Sequence, residues 1–439
     1  MVKDKKFLEN ISQFCLDKAK KLGATDCEVV ISNSISEGVS FRNKQLEHSE
    51  RSDNLSIGLT TYIGKKKSNV SSSNSKQDNL SGLIERCIEM TKITPEDPYV
   101  SIPDKNNLAK ESVVLNLYDE NYIAIENKIN FLKEIEEEAF KNNKITNSNG
   151  CTFSEGRSNF VLANSHGFSM GYQTSIFSAG CAVVAEDNGL METDYEYSTK
   201  RFFNKLLSTK EIGSSAAKRA TRRLNAKKMN SAKLSIIFDK RVSRSLLSSF
   251  ASAITGSAFS RGTSFLKDKL NQVVFEKTIN IFDDPLIEMG LGSQPFDSEG
   301  VISNKIHLVK DGKLENIFLD TYHSNILKMK TNGRSGGSTN LFFDNGIITN
   351  DEMIKNNKKA IYITDLIGHG SNTVTGDYSV GASGILIENG ELSYPVNEIT
   401  IAGNLLEMYR NLTLANDLEY IYSTNSPTIM INQMTVAGK

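Results

Sequence analysis

The sequence lacks a charge excess, a long apolar run, and any clustered cysteine or histidine motif. Its 439 residues carry 51 Lys and Arg against 52 Asp and Glu, a formal net charge of −1. The basic footprint that phosphate neutralisation requires is missing, so strong nucleic-acid binding is not expected. No apolar run reaches the roughly 18 residues that a membrane-spanning helix needs. The lysine-rich start leads into an amphipathic helix rather than an apolar signal core, which makes the cytoplasm the expected location. Five cysteines (Cys15, Cys27, Cys87, Cys151 and Cys181) are widely spaced and form no CxxC pair. A disulfide framework or zinc knuckle is therefore not expected. The histidines, His48, His166, His307, His323 and His369, are scattered, with no HExxH, HxH or CxxH, so nothing in the sequence points to a metal held by this chain. GxSxG and GK[ST] are also missing, which argues against a serine hydrolase and a P-loop. No repeat of solenoid period is present.

What is present is the composition of a globular protein, 38% hydrophobic and 23% charged, long enough for two or three domains. Apolar residues from Phe7 to Leu22 recur at helical spacing and predict an opening helix. Strands are predicted over Cys27–Ser32, Gly38–His48 and Leu55–Gly64, followed by Lys65-Lys66-Lys67 on a solvated turn or edge. A helix over Leu80–Thr91 completes a first unit, ended by Pro95, Pro98 and Pro103. A second unit opens with a helix over Ile123–Asn142, whose Glu134, Glu136, Glu137 and Glu138 read as a solvated face. Strands are predicted at Cys151–Phe153, Ser158–Ala163, Gly171–Glu186 and Asp194–Arg201. Ser208 with Glu211 forms a capping box for the next helix, and Asn225–Asn230 reads as a linker.

The third unit starts with a buried-type strand, Leu234–Phe238, and a helix over Val242–Ile254 closed by Gly256. Strands follow at Thr278–Phe282, Val301–Lys310 and Lys313–Leu319, the last two joined by a type I′ turn at Asp311-Gly312. Gly333–Ser338 is a glycine-rich loop. A longer stretch, Gly368–Gly384, lies between strand Ala360–Ile367 and strand Ile385–Ile387, which turns at Asn389-Gly390. It reads either as a long hairpin loop or as a cradle for a peptide or ligand. The fold class expected is α+β: an N-terminal helix-meander-helix unit (1–105), a middle α+β unit (106–228) and a large, mostly antiparallel, β-rich C-terminal domain (229–439).

Candidate functional groups concentrate in the third unit. Asp297 and Glu299 lie beside the turn-rich run Gly290–Pro295, where carboxylates either do acid–base work or cap turns. His369, between two glycines, heads the long stretch, with Asn372, Gly376, Asp377 and Tyr378 further along it. An independent hydrolase built on Asp297, Glu299, His369 or Asp377 is one reading of this set.

Longer motifs give a more specific one. Ile254–Leu266, Gly292–Gly300, Asn372–Ala382 and Tyr394–Leu405, together with Gly23–Asp26 and Asn164–Phe168, resemble the TldD/PmbA family, also called modulator of DNA gyrase. The likeness covers essentially the whole chain and is nearest to the PmbA (TldE) branch. It implies a heterodimeric metallopeptidase of extended or unfolded peptides, in which a TldD-type partner carries an HExxxH helix and zinc. By register from Arg261–Ser264, the His, Glu and His positions fall here on Leu247, Ser248 and Ser252. None of these residue types holds zinc in the usual way or acts as its base. The resemblance thus implies a subunit without cofactor or catalytic residues. It would supply half of a closed chamber and backbone contacts to substrate through His369, Asn372, Gly376, Asp377, Tyr378, Asp297 and Glu299. A homodimeric peptide-binding or scaffolding protein is the alternative.

Overall fold

The computed structural model describes residues 2–438. Its first half is α1 (Lys5–Lys21), β1 (Asp26–Arg42), β2 (Gln45–Ile63), β3 (Lys66–Ser72), α2 (Gln77–Ile93), α3 (Ile125–Ala139), β4 (Ile145–Asn164), β5 (Ser169–Asp187), β6 (Leu190–Lys200) and α4 (Thr209–Arg222). All six strands form one antiparallel sheet in the order β3-β2-β1-β4-β5-β6. Strands on either side of the proline-rich segment therefore share one sheet. One face of it is covered by helices. Leu8, Cys15, Leu80 and Ile84 of α1 and α2 pack on Val29, Ile31, Ile57 and Leu59. Leu132, Ile135, Ile212 and Ala216 of α3 and α4 pack on Phe153, Phe177 and Val183. All five cysteines are buried and free. The capping box at Ser208 and Glu211 is present.

Three local expectations are corrected in this half. The strand expected over 38–48 crosses a turn: Asn43 and Lys44 both have positive φ (49° and 64°), the type I′ geometry of a tight hairpin, achieved here without glycine. Glu136 does not belong to a solvated face. It is 2% exposed, and its carboxylate accepts the amides of Asn43 and Lys44, both at 2.9 Å, so α3 holds that hairpin turn. The strand expected as two pieces is the continuous β4. Its middle was obscured because Glu155 and Arg157 face the helix side, where an apolar alternation would be looked for. They are kept there by ion pairs: Glu155 meets Lys128 at 2.6 Å and Arg157 at 2.5 Å, and Lys128 also bonds Glu37.

The second half contains β7 (Ala232–Phe238), α5 (Lys240–Ala253), α6 (Gly256–Ser260), β8 (Ile281–Asp283), β9 (Ile306–Lys310), β10 (Lys313–Leu314), α7 (Thr321–Leu327), β11 (Leu341–Phe343), α8 (Asn350–Lys355), β12 (Lys359–Ile367), β13 (Asp377–Glu388), β14 (Glu391–Asn404), α9 (Leu405–Arg410), β15 (Leu412–Leu414), β16 (Thr424–Asn425) and β17 (Ile429–Ala437). One sheet has the order β14-β13-β12-β7-β17-β15. Because β14 also pairs with β17 at Thr400–Ala402, five of its strands close into a ring. A smaller sheet runs β10-β9-β8-β11-β16. Pairing is antiparallel except for β7 with β12 and β11 with β16. Helices and antiparallel sheets thus combine as an α+β fold. The ring packs α5 and α9 through Ile236, Phe238, Phe250, Phe275, Ile363 and Tyr409.

Gly256 does not close the preceding helix. Ile254 is the C-cap of α5, and Gly256 opens α6, with Thr255 as its N-cap. The strands expected over 301–310 and 313–319 shorten to β9 and β10, still joined at Asp311 and Gly312 with positive φ. The stretch 368–384 is only half a loop, because its residues from Asp377 onward are β13. Gly384 is needed for close strand approach: a Cβ there would lie 2.3 Å from the Tyr362 carbonyl oxygen. Finally, Phe160 and Tyr172 of the first sheet's uncovered side, with Phe168 of the turn between β4 and β5, meet Phe296 of the second half, so the two halves share an apolar interface.

Candidate functional site

Helix α5 begins where Asp239 caps it, accepting the Arg241 amide at 2.9 Å. Leu246, Leu247, Phe250 and Ala253 are buried against the ring, and Leu247 is 0% exposed. The opposite face is a row of serines. Ser248 and Ser252 are exposed, and their hydroxyls donate to the carbonyls of Arg244 (3.1 Å) and Ser248 (3.0 Å) one turn back. Of the three positions that the resemblance sets against HExxxH, one is therefore a core side chain and two are neutral hydroxyls already bonded to their own helix. Among the described residues no three His, Cys, Asp or Glu side chains are grouped so that they could hold a metal ion.

The glycine-rich loop sits beside this helix. Ser249 and Ser371 approach within 2.7 Å through their hydroxyls, a contact that the sequence did not reveal. The Phe265 amide bonds the Thr373 carbonyl at 3.0 Å. Asn372 is exposed, and its side chain accepts the amides of Val374 (3.0 Å) and Thr375 (3.3 Å). Asp377 accepts the Thr375 hydroxyl at 2.6 Å. His369 is exposed. Gly376 is buried with φ 84°, and a Cβ there would press on the Phe265 ring at 3.3 Å. Tyr378 does not face solvent. It is 4% exposed within the ring core, and its hydroxyl has no partner among the described residues. Burial pushes that phenol far above its ordinary range.

Asp297 and Glu299 are elsewhere, at the interface with the first sheet. Asp297 is 1% exposed and accepts the amides of Glu299 (2.9 Å), Val301 (2.8 Å) and Ser335 (2.9 Å). Glu299 accepts the amide (2.9 Å) and hydroxyl (2.6 Å) of Thr321. Burial pushes Asp297 up to about 6 and Glu299 up to about 7. Burial, with the neighbouring Glu299 and Asp297 charges adding to it, also raises Glu28 of β1 to about 7. Among the described residues no hydrogen bond or ion pair joins Asp297 or Glu299 to His369, Asn372 or Asp377. The sequence candidates thus fall into two separate places.

A further feature escaped sequence reading. A cavity of about 400 Å³ opens between β6 and the segment 419–426, lined by Tyr197, Lys200, Arg219, Lys240, Arg241 and Tyr422 among others. A second cavity of about 350 Å³ shares Lys200, Tyr420, Ile421 and Tyr422 with it. Tyr197 and Tyr422 lie 5.6 Å apart by ring centroids, and the Arg244 guanidinium sits 4.0 Å over Tyr422. The only local signal is a pair of Tyr-x-Tyr runs, Tyr195–Tyr197 and Tyr420–Tyr422.

Comparison with known proteins places the chain in a family. Sequence profiles described as PmbA/TldA metallopeptidase domain 1, central domain and C-terminal domain match residues 27–91, 118–224 and 231–438. The chain is 32% identical to the metalloprotease PmbA of Escherichia coli O157:H7, over 99% of this chain and 97% of that one. It belongs to the PmbA/TldD metallopeptidase family. A PmbA homologue of Haemophilus influenzae is likewise 32% identical, over 98% of this chain and 96% of its own. Among solved structures, a protein of Bacteroides thetaiotaomicron described as a modulator of DNA gyrase superposes with TM-score 0.93 at 26% identity, each chain being fully covered. TldE of Thermococcus kodakarensis shares the fold, with TM-score 0.83 at 19% identity, over 98% of this chain and 100% of that one. The fold as a whole is thus shared with these structures.

Proposed function

We propose that this chain is the metal-free, non-catalytic subunit of a PmbA/TldD-type metallopeptidase, acting in the cytoplasm. It pairs with a TldD-type, HExxxH-bearing partner that holds zinc and cuts extended peptides. The observation that carries this reading is the outward face of α5. Zinc-assisted hydrolysis needs protein ligands that leave a coordination position open, and a base for the bound water. Leu247 is buried under the helix, while Ser248 and Ser252 spend their hydroxyl protons on backbone carbonyls. The contribution of this chain is then to complete the chamber and present backbone groups to the substrate.

The test is cleavage of an unstructured peptide by the purified chain alone and by its mixture with an HExxxH-bearing family member, each with and without chelator. Cleavage only in the mixture, abolished by chelator, is the expected result. Cleavage by this chain alone contradicts it. No cleavage in either sample favours the homodimeric peptide-binding scaffold instead.

A further inference from the structure

Strand addition needs a free sheet edge, and the closed ring of the C-terminal half has none along β13, which is flanked by β12 and β14. The part of the glycine-rich stretch that lies in β13, from Asp377 onward, is thus not where a peptide can pair as a strand. The outer strand β6 of the first sheet is such an edge, and it borders the cavity between the two halves.

The outward groups of β6 can be read from its bonds. The Tyr195 and Tyr197 amides turn to the carboxylates of Asp194 (2.7 Å) and Glu196 (3.0 Å). The Tyr195 carbonyl accepts from Arg219 at 3.3 Å and Arg241 at 3.5 Å. By the two-residue period of a strand, Thr199 faces the same way. Its hydroxyl meets that of Ser178, its cross-strand partner, at 2.9 Å, as in a closely spaced pair whose amides point away from each other. Among the described residues nothing bonds the Thr199 amide or the carbonyls of Tyr197 and Thr199 on that side. The edge is occupied at Tyr195 and open toward Lys200, where the two cavities join.

The charge of the groove selects an occupant. Its lining carries Lys200, Arg201, Lys205, Arg219, Lys240 and Arg241 against Glu196, Glu288 and Glu419. Arg219, Lys240 and Arg241 are paired with carboxylates. Arg201 bonds only backbone carbonyls, those of Ser175, Gly290 and Leu291. Lys200 and Lys205 have no carboxylate partner among the described residues. Glu288 likewise has no cationic partner among the described residues, so the unneutralised charge at the open end of the edge is positive in excess.

We propose that the groove between β6 and the segment 419–426 binds an extended, acidic peptide. The peptide adds as a strand at Tyr197–Thr199, with its carboxylates toward Lys200, Arg201 and Lys205. The inference rests on the subunit reading for the presence of peptide in the assembly, and it adds a site on this chain and a preference in side-chain charge.

The test uses the full chain and a short fluorescein-labelled peptide alternating glutamate and valine, with a lysine-valine peptide as comparison, read by fluorescence anisotropy. The acidic peptide binds more tightly than the basic one, and its affinity falls with added salt. Thr199→Pro, which removes the open donor, and Lys200→Glu combined with Lys205→Glu each weaken binding by about tenfold. Unchanged circular dichroism and melting temperature establish that the variants fold. Hydrogen exchange of the wild-type chain detects peptide-dependent protection of the Thr199 amide. Equal binding of both peptides, no binding, or binding unaffected by both variants overturns the proposal. Chelator-sensitive cleavage by the mixture with unaltered peptide binding in the variants sinks the groove alone. Protection at Thr199 without cleavage by the mixture supports the groove and sinks the subunit reading alone.

Discussion

The two glycine-rich loops of the C-terminal half, Gly333–Ser338 and Gly368–Gly376, have similar compositions and opposite environments. The first is built around Arg334, which is 2% exposed. Its guanidinium meets Asp283 at 2.5 Å and the carbonyls of Gly333 (2.9 Å) and Asn304 (2.7 Å), while Thr339 donates to the same carboxylate from its amide and hydroxyl, each at 2.7 Å. The second loop is largely exposed and held by bonds at its surface, such as Ser249 with Ser371. Glycine content therefore says that backbone approaches something closely, and leaves open whether that is a buried ion pair or solvent. The charge placed among the glycines makes the difference.

Four measurements bear on that contrast, the largest effect first. Arg334→Ala leaves the Asp283 carboxylate buried and uncompensated, and is expected to destabilise the protein by about 3–5 kcal/mol in denaturant unfolding. A loss under about 1 kcal/mol would mean that the first loop is no more fixed than the second.

The interface beside the first loop supplies a pH dependence. Asp297, Glu299 and Glu28 have folded-state pKa values raised above their ordinary ones, to about 6, 7 and 7. Their contribution is complete in acid below the ordinary carboxylate range, and it is lost as the pH rises through about 6 to 7. Each of the three should cost the fold on the order of 2 kcal/mol between about pH 5 and pH 8, followed as the urea midpoint. Glu28→Gln should flatten that slope, and a slope that steepens instead would contradict the assignment.

In the second loop and the strand after it, the effects are smaller. Tyr378→Phe removes a buried hydroxyl without a partner and should be neutral or stabilising by up to about 1 kcal/mol. A clear destabilisation would point to a bond that the hydroxyl makes. The Ser249 and Ser371 pair should show a coupling of about 0.5–1 kcal/mol in a double-mutant cycle with alanine. A larger coupling would put this loop with the rigid class.

These comparisons also mark what could be read from the sequence. Helices were legible where apolar spacing and caps agree, as at Ser208 with Glu211. Strands were legible where the inward side is apolar and hidden where it is charged, as at Glu155 and Arg157 in β4. The turn at Asn43-Lys44 was obscured because it reaches left-handed backbone without glycine. Ring closure depends on β14 meeting β17, a pairing between distant segments that local pattern cannot specify. The site divides in the same way. Motif register put the expected HExxxH positions on α5, at Leu247, Ser248 and Ser252, whereas the burial of Leu247 and the contact of Ser249 with Ser371 emerged only in the folded chain. The groove was not legible, because Tyr195–Lys200 and Glu419–Ser426 become neighbours only in the folded chain.

The most direct test of the central claim is zinc titration of the purified chain by calorimetry, at neutral pH and after removal of any affinity tag. The account predicts no stoichiometric binding at α5, and a curve unchanged by Ser248→Ala combined with Ser252→Ala. One equivalent of tightly bound zinc, lost in that double variant, would mean that α5 carries a metal site, and would contradict the reading of this chain as the metal-free subunit.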